Sequence, residues 1–209
     1  MKRKLSIKRF GIYFSGMISV SLGIVLCAQC GLGISPISSI PFVIKEICFL
    51  TFGQLTILFH LVNILLQMIL LRRFRDVKLL LQIPVAFLFG WLIDLIKLML
   101  MIDQSNLFMK IMALILSIFF TALGMVMMVR MDLVQNPPDG CVKAIAAVLA
   151  KEFGDIKIIY DIGCVLIAIL IGMIFLRKPF GMGIATLVSA IFVGKTVKVI
   201  NKIITINKK

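Results

Sequence analysis

The sequence predicts an all-α polytopic membrane helix bundle of about six transmembrane helices, arranged as an inverted 3+3 repeat with two short half-helices. Hydrophobic residues make up 61% of the 209-residue chain, whereas a soluble domain is usually about 45–50% apolar. Six apolar runs are long enough to cross about 30 Å of hydrocarbon at about 1.5 Å per residue. Landmarks of the first half of the chain return in the second half, as they do in internal repeats.

The six apolar runs predict membrane spans within one membrane domain, residues 1–209. The first is expected to stay in the membrane, because it is long enough to span and no small-residue cleavage site follows it. Two shorter runs, 37–50 and 142–150, cannot span and predict interfacial or re-entrant half-helices. No stretch alternates polar and apolar residues as a membrane β-barrel does. The predicted spans cover residues 10–30, 52–71, 81–102, 107–129, 156–176 and 182–199.

The net charge of +14 lies in short basic runs beside the spans, which indicates orientation rather than nucleic-acid binding. With six spans, the N-terminus, the loop after the second span and the C-terminal tail share one side, so both termini are predicted to be cytoplasmic. The signal is weaker in the second half, because opposite loops carry Lys45, Lys110, Arg177 and Lys178. The residues that carry the prediction are Lys2, Arg3, Lys4, Lys8, Arg9, Arg72, Arg73, Arg75, Lys78, Lys195, Lys198, Lys202, Lys208 and Lys209.

An offset of 101 residues relates the two halves, about 10–102 and 107–203. A small gap then places Gly90 opposite Gly194. An odd number of spans in each half gives the two copies opposite orientations, as in many secondary transporters. Similar hydropathy of the two halves is the alternative explanation. The aligned landmarks are Leu22-Gly23 with Leu123-Gly124, Pro36 with Pro137, and Phe52-Gly53 with Phe153-Gly154.

Four polar residues are predicted near the middle of the membrane, where they are candidates for solute binding or proton coupling. His60 and Asn63 lie in the second span, and Tyr160 and Asp161 lie in the fifth. The offset places Asp161 opposite His60, each about 12 Å from the start of its helix. Hydrogen bonding between helices is the alternative role, especially for His60. A buried carboxylate costs more, which favours a functional role for Asp161.

Asp94 and Lys97 in the third span are predicted to form a structural pair. Their spacing of three residues places them on one face of a helix. The alternative is that the Lys97 side chain extends to the membrane interface.

The two half-helix starts are candidate solute-binding sites. Free backbone N–H groups and the positive end of the helix dipole attract anions at such a start, and glycines allow a ligand to approach the backbone. A plain capped helix at each membrane face is the alternative. The candidate residues are Gly31, Gly33, Pro36 and Ser38 at the first start, and Pro137, Asp139 and Gly140 at the second.

No metal site, cofactor or enzyme activity is predicted. The Cys27-x-x-Cys30 motif has no second pair or neighbouring histidine, which makes it weak evidence for zinc or redox chemistry. The chain contains a single histidine, so a histidine-based catalytic triad would depend on His60 inside a span. No Walker-type loop for ATP is present.

Together, several motifs resemble those of the YczE-like bacterial membrane proteins, which are related to the YitT and YyaS groups. Two positions differ from that pattern: Ile184 stands where a Thr is expected, and Asp132 stands where a Gly is expected. The resemblance implies an uncharacterised multi-pass protein of the bacterial plasma membrane, and it supplies neither a substrate nor catalytic residues. It rests on Gly31-x-Gly33-x-x-Pro36, Phe52-Gly53, Phe89-Gly90-x-x-x-Asp94, Pro137-Pro138-Asp139-Gly140, Asp161, and Gly181-x-Gly183 with Gly194.

Two functional hypotheses follow. The first is a small secondary transporter or permease that binds a small solute at the midplane between the inverted halves, with the helix starts favouring an anion. The second is a non-transporting membrane component that acts in assembly or regulation. The expected partners are the lipid bilayer and a small-molecule solute, with no nucleic acid. The sequence leaves the oligomeric state open.

Overall fold

The computed structural model describes residues 7–100, 102 and 106–206, and in this part of the chain it is helical without strands. Six helical segments are long and apolar enough to span a membrane, which confirms the predicted fold class. The basic residues Lys2, Arg3, Lys4, Lys208 and Lys209 lie outside the described residues. The helices are α1 Ile7–Gln29, α2 Ser39–Lys45, α3 Phe52–Leu71, α4 Val77–Leu80, α5 Gln82–Met99, α6 Leu107–Met131, α7 Pro137–Leu149, α8 Phe153–Ile171 and α9 Ile184–Ile206.

Several helix bounds differ from the hydropathy prediction because hydropathy does not register helix-terminal chemistry. The half-helix α7 starts at Pro137, five residues before the predicted start at residue 142. Proline suits the first helical position, where no N–H is needed. The Pro137–Gly140 segment therefore forms the first turn of α7 rather than a loop that precedes it. The helix α8 starts after Glu152, ahead of the predicted 156, and carries Asp155 in its first turn, where acidic groups favour the dipole.

The other bounds differ at the first half-helix and the last span. The half-helix α2 ends at Lys45 instead of residue 50, and a one-turn 3-10 helix, Pro36–Ser38, precedes it. A π-helical turn, Gly172–Leu176, extends α8. Helix α9 continues to Ile206, past the predicted 199, because helical backbone tolerates lysines that lower the local hydropathy.

The long central helices of the two halves, α1 and α6, cross antiparallel. A Cβ added to Gly23 would lie 2.7 Å from the Ser117 carbonyl oxygen, and one added to Gly124 would lie 2.3 Å from the Gly16 carbonyl oxygen. The offset of 101 exchanges these two contacts. The Ser19 hydroxyl donates to the Phe120 carbonyl at 2.8 Å. Ser19 and Phe120 are themselves equivalent positions of the two halves, because they lie 101 residues apart. These contacts are therefore related by a pseudo-two-fold axis that passes near Ser19, as in an inverted repeat.

The last span of each half keeps the same register against the central helices. The Gln29 side chain donates to the Leu100 carbonyl at 2.7 Å, and at the counterpart positions Arg130 donates to the Asn201 carbonyl at 3.1 Å. These contacts preserve the offset of 101, so Ile191 is the structural counterpart of Gly90. The gap that would place Gly194 there is not supported.

Candidate functional site

Two polar regions lie at opposite ends of the helix bundle. We call them the Gly31 end, where α1 and α5 finish and α3 and α9 begin, and the Arg72 end, where α3 and α6 finish and α8 begins. The Gly31 end contains a partly open cavity of about 670 Å³. Its walls come from α1, α2 and α5 of the first half and from the segment before α9 in the second half, so both repeats contribute.

Two Gly-x-Gly segments cross beside this cavity. The Ile34 N–H donates to the Gly181 carbonyl at 3.0 Å, and the Ala185 N–H donates to the Leu32 carbonyl at 2.9 Å. A Cβ on Gly183 would lie 2.2 Å from the Leu32 oxygen, and Gly33 has a φ of +116°. Gly33 and Gly183 therefore allow two chain segments to approach each other closely, whereas the sequence predicted that Gly31 and Gly33 allow a ligand to approach.

The helix start after this crossing is stabilised locally. The Thr186 hydroxyl accepts a hydrogen bond from the Gly183 N–H at 3.3 Å, two positions after Ile184. Asp132, at the counterpart of Gly31, adopts a left-handed φ of +49° where Gly31 has +69°. Asp is among the residues that tolerate this conformation, so the backbone accommodates Asp132 at this position.

Asp94 has a different partner from the predicted one. Its carboxylate accepts hydrogen bonds from the Thr51 hydroxyl and from the Gly53 N–H, the latter at 2.8 Å. It therefore stabilises the N-terminus of α3, where a carboxylate satisfies unpaired N–H groups. No ion pair joins Asp94 to Lys97 in the described parts of the chain, which corrects the predicted structural pair.

Lys97 instead contributes a half-buried cation to the cavity wall. Lys45 also lines the cavity, but its ammonium pairs with Glu46 at 2.7 Å and lies 5.3 Å from the centre of the Phe42 ring. The Phe42 ring stacks on Phe180 with centroids 5.7 Å apart. The cavity thus combines aromatic surface, one ion pair and one further cation.

The Arg72 end holds a buried network of amides around the start of α7. Gln67 and Gln82 exchange two hydrogen bonds, at 3.1 and 3.0 Å. Gln67 also donates to the Pro137 carbonyl at 3.0 Å, and a Cβ on Gly140 would lie 2.3 Å from its side-chain oxygen. Pro137 and Gly140 are therefore packed against α3. Gln82 was missed as a site residue because hydropathy places it at a span boundary.

The predicted midplane residues Asn63 and Tyr160 meet directly. The Tyr160 hydroxyl donates to the Asn63 side-chain oxygen at 2.6 Å, and the Asn63 amide donates to the Phe59 carbonyl at 2.8 Å. This contact joins α3 of the first half to α8 of the second half, so part of the predicted site lies between the repeats.

His60 and Asp161 are not joined by any hydrogen bond or ion pair in the structure described. The His60 ring is 3% exposed, lies 5.3 Å from the Phe89 ring by centroids, and its Nδ1 has no hydrogen-bond partner. Asp161 accepts from the Lys157 ammonium at 2.5 Å. The sequence analysis did not predict this pair, although a spacing of four residues places Lys157 and Asp161 on the same face of a helix.

The two half-helix starts pack against opposite repeats and carry no side-chain caps. At the first, Ser38 accepts a hydrogen bond from Ser35 at 3.1 Å, and Ser39 donates to the Pro36 and Cys164 carbonyls at 2.6 and 3.1 Å. At the second, one Asp139 oxygen accepts from the Asn136 amide at 3.3 Å, and the other is buried without a hydrogen-bond partner. The starts therefore lie in separate surroundings.

The site thus offers a solvent-reachable cavity at one end and a buried polar contact between repeats at the other. A cavity of this kind can bind a small solute, and the buried hydrogen bonds hold the two halves together. Across the described part of the chain, no group of three His, Cys, Asp or Glu side chains is placed to hold a metal ion.

Comparison with known proteins yields one match. The model of a family of unknown function, DUF6198, matches residues 7–202, which is nearly the whole chain. No curated protein and no solved structure matches.

Proposed function

Because the chain belongs to the family of unknown function DUF6198, we propose its function from its geometry: a small secondary transporter or permease for a small solute. The observation that carries the proposal is the cavity of about 670 Å³ at the Gly31 end. Both repeats line it, and inverted-repeat transporters commonly bind their solutes between repeats. In this proposal the solute binds at the Gly31 end, whereas the sequence predicted binding at the midplane between the repeats.

The charge of the cavity favours an anionic solute. Lys97 has no ion-pair partner in the described residues, whereas the Lys45 cation is balanced by Glu46. Among the charged side chains that line the cavity, Lys45, Lys97 and Glu46, positive charge therefore exceeds negative charge by one, and reduced screening in a partly enclosed site strengthens the attraction for an anion. The stacked Phe42 and Phe180 rings supply an apolar wall for the remainder of the solute.

Proton coupling belongs to the same proposal, with Asp161 and His60 as its candidates. The pair of Lys157 with Asp161 supports it, since ionisable groups in membrane spans commonly mark proton or ion pathways. The test is uptake into proteoliposomes driven by a proton gradient, with Asp161→Asn against the native chain. Uptake that responds to the gradient equally in both proteins would remove Asp161 from coupling.

The proposal also covers the cellular location of the protein, its orientation in the membrane and its family relationship. We place the protein in the bacterial plasma membrane with both termini in the cytoplasm, supported by the basic runs around Arg9 and Arg72. Kinship with the YczE-like proteins is supported by the shared glycine, proline and Asp161 motifs. We also propose that the lipid bilayer and a small solute, and not nucleic acid, are its partners, and that it is not an enzyme.

A non-transporting assembly or regulatory role is the second candidate. One observation favours it: α8 and α9 expose large apolar side chains, among them Ile158, Ile162, Leu187 and Ile191, each more than half exposed. A membrane partner could cover these faces. The same faces can instead contact lipid, which is why transport ranks first.

A binding screen tests the transport proposal. The purified protein is heated with small carboxylates, inorganic phosphate, sulfate and amino acids, and an anion that raises the unfolding temperature is then used in uptake assays. Lys97→Gln should weaken binding of that anion about tenfold or more, as loss of a charge-assisted contact does. Lys143→Gln removes an exposed charge on α7, away from the cavity, and serves as the matched control. Equal binding by both variants would contradict the anion site.

A further inference from the structure

In the first repeat, α5 is closed onto α3. A Cβ on Gly90 would lie 2.5 Å from the Gly53 carbonyl oxygen and 2.3 Å from an Ile57 side-chain carbon, so the two backbones nearly touch. At the Gly31 end, Asp94 of α5 holds the start of α3 through Thr51 and the Gly53 N–H. Glycines and a carboxylate together close this contact, as small residues and polar bonds do between membrane helices.

In the second repeat, the counterpart contact is open. Helix α9 packs on α6 as α5 packs on α1, but α8 and α9 share no contact of comparable extent. Among the described residues, no atom outside α8 lies within 4 Å of a Cβ placed on Gly154, the counterpart of Gly53. Ile158, the counterpart of Ile57, is 61% exposed, and Ile191, the counterpart of Gly90, is 54% exposed. The two repeats therefore differ in the position of one helix.

The residues on the open faces have complementary charges. The offset of 101 places Glu152 at the position of Thr51, and Lys195 at the position of Asp94. Asp155 on α8 and Lys198 on α9 lie one turn away and add one charge of each sign. All four side chains are exposed, and Lys195 contacts the Phe192 ring at 5.3 Å. Closing α9 onto α8 would bring the lysines to the carboxylates at the Arg72 end.

We infer that α9 closes onto α8 in a second conformation of this protein, with Lys195 meeting Glu152 as Asp94 meets Thr51 in the first repeat. Because the pseudo-two-fold axis exchanges the halves, the second conformation has α5 withdrawn from α3. The closed contact thus moves from the Gly31 end to the Arg72 end. This inference rests on the repeat geometry, and its use in alternating access rests on the proposed function.

Matched cysteine pairs in the full chain, reconstituted in lipid vesicles, test the closure. The test pairs are Glu152→Cys with Lys195→Cys, and Glu152→Cys with Lys198→Cys, in a Cys48→Ser background because the other four cysteines are buried. A disulfide needs the two Cβ atoms about 3.5–4.5 Å apart. The linked peptides are identified by mass spectrometry, and isotope-labelled chains mixed with unlabelled ones show whether a link lies within one chain.

Two control pairs define the scale. Thr51→Cys with Asp94→Cys joins positions that are already hydrogen-bonded and should link efficiently. Glu152→Cys with Val193→Cys uses a position about 160° around α9 from Lys195 and should link poorly. We expect a link within one chain for at least one test pair, about fivefold or more above the Val193 pair. Distances between spin labels on the same test pairs give a second measurement, in which a short-distance population is expected.

Charge reversal separates directed closure from random collision. Lys195→Glu with Lys198→Glu should shrink the short-distance population measured with labels at Gly154→Cys and Ile191→Cys by about two- to fivefold, the range of exposed ion pairs. Adding Glu152→Lys and Asp155→Lys should restore it. Links only between chains, or a single long distance with no short population, would overturn the inference. These outcomes do not depend on solute uptake, so failure of closure and failure of transport are distinguishable.

Discussion

The crossing of α1 and α6 makes a prediction that depends on the repeat symmetry. Gly23→Ala would place a Cβ 2.7 Å from the Ser117 carbonyl oxygen, and Gly124→Ala would place one 2.3 Å from the Gly16 carbonyl oxygen. Ordinary contact begins at 3.4 Å, so the shortfalls are 3.4 − 2.7 = 0.7 Å and 3.4 − 2.3 = 1.1 Å. These are backbone contacts, and no side-chain rotation can relieve them. The two helices must move apart.

Each substitution should lower the free energy of unfolding by about 1–3 kcal/mol, the cost of overpacking a tight contact. The double variant Gly23→Ala with Gly124→Ala should lose less than the sum of the single losses, by about 0.5 kcal/mol or more. The reason is geometric: the offset of 101 exchanges the two contacts, so one separation of α1 from α6 relieves both.

Thermal or denaturant unfolding of the purified protein in one detergent measures these losses. Gly163→Ala and Gly194→Ala are matched controls inside membrane helices, because in the described part of the chain nothing outside their own helices lies within 4 Å of a Cβ at either position. They should leave stability unchanged or raise it by up to about 1 kcal/mol, since alanine favours helix more than glycine. Losses at Gly23 no larger than those at Gly163, or full additivity in the double variant, would refute the crossing geometry.

Three further predictions concern polar contacts between helices, and unfolding of the purified protein checks each of them. Gln67→Leu should cost about 1–3 kcal/mol, because the buried Gln82 amide loses its partner; adding Gln82→Leu should recover part of the loss, and an additive double variant would contradict the pairing. Asp94→Ala should lower the free energy of unfolding by about 0.5–2 kcal/mol, because the N–H groups at the start of α3 lose their acceptor, and Lys97→Gln should lower it less. Equal losses would support the Asp94–Lys97 pair that the sequence predicted. Tyr160→Phe should cost about 1–3 kcal/mol by leaving its α3 acceptor unpaired, and no loss would remove this link between the repeats.

The helical membrane fold could be predicted from the sequence because hydropathy and span length are local properties. The offset of 101 also carried through to the structure, where α3 begins at Phe52 and α8 at Phe153. Hydropathy alone began α7 too late, at residue 142, whereas the proline at the predicted half-helix start lies where the helix begins, at Pro137. The register of the last span was misjudged at Gly90, because a shared glycine suggested a gap that the contacts at Leu100 and Asn201 do not show.

The candidate site was less predictable because it depends on contacts between distant segments. Sequence reasoning placed Asn63 and Tyr160 at similar depth, and they do meet. The crossing of the Gly31–Gly33 and Gly181–Gly183 segments could not be predicted, because segments 150 residues apart leave no local pattern in the sequence. Sequence reasoning also paired Asp94 with a residue on its own helix, whereas hydrogen-bond donors at the start of α3 are closer partners.

The position of the cavity follows from the places where the two repeats have diverged. At the Gly31 end, Gly33 and Gly183 allow two chain segments to cross and leave open space beside them. Their counterparts at the other end are Val134 and Gln82. The Val134 side chain packs against the central core, and Gln82 fills its site by pairing with Gln67. Side chains at Val134 and Gln82 therefore occupy positions whose counterparts, Gly33 and Gly183, lie beside open space at the Gly31 end.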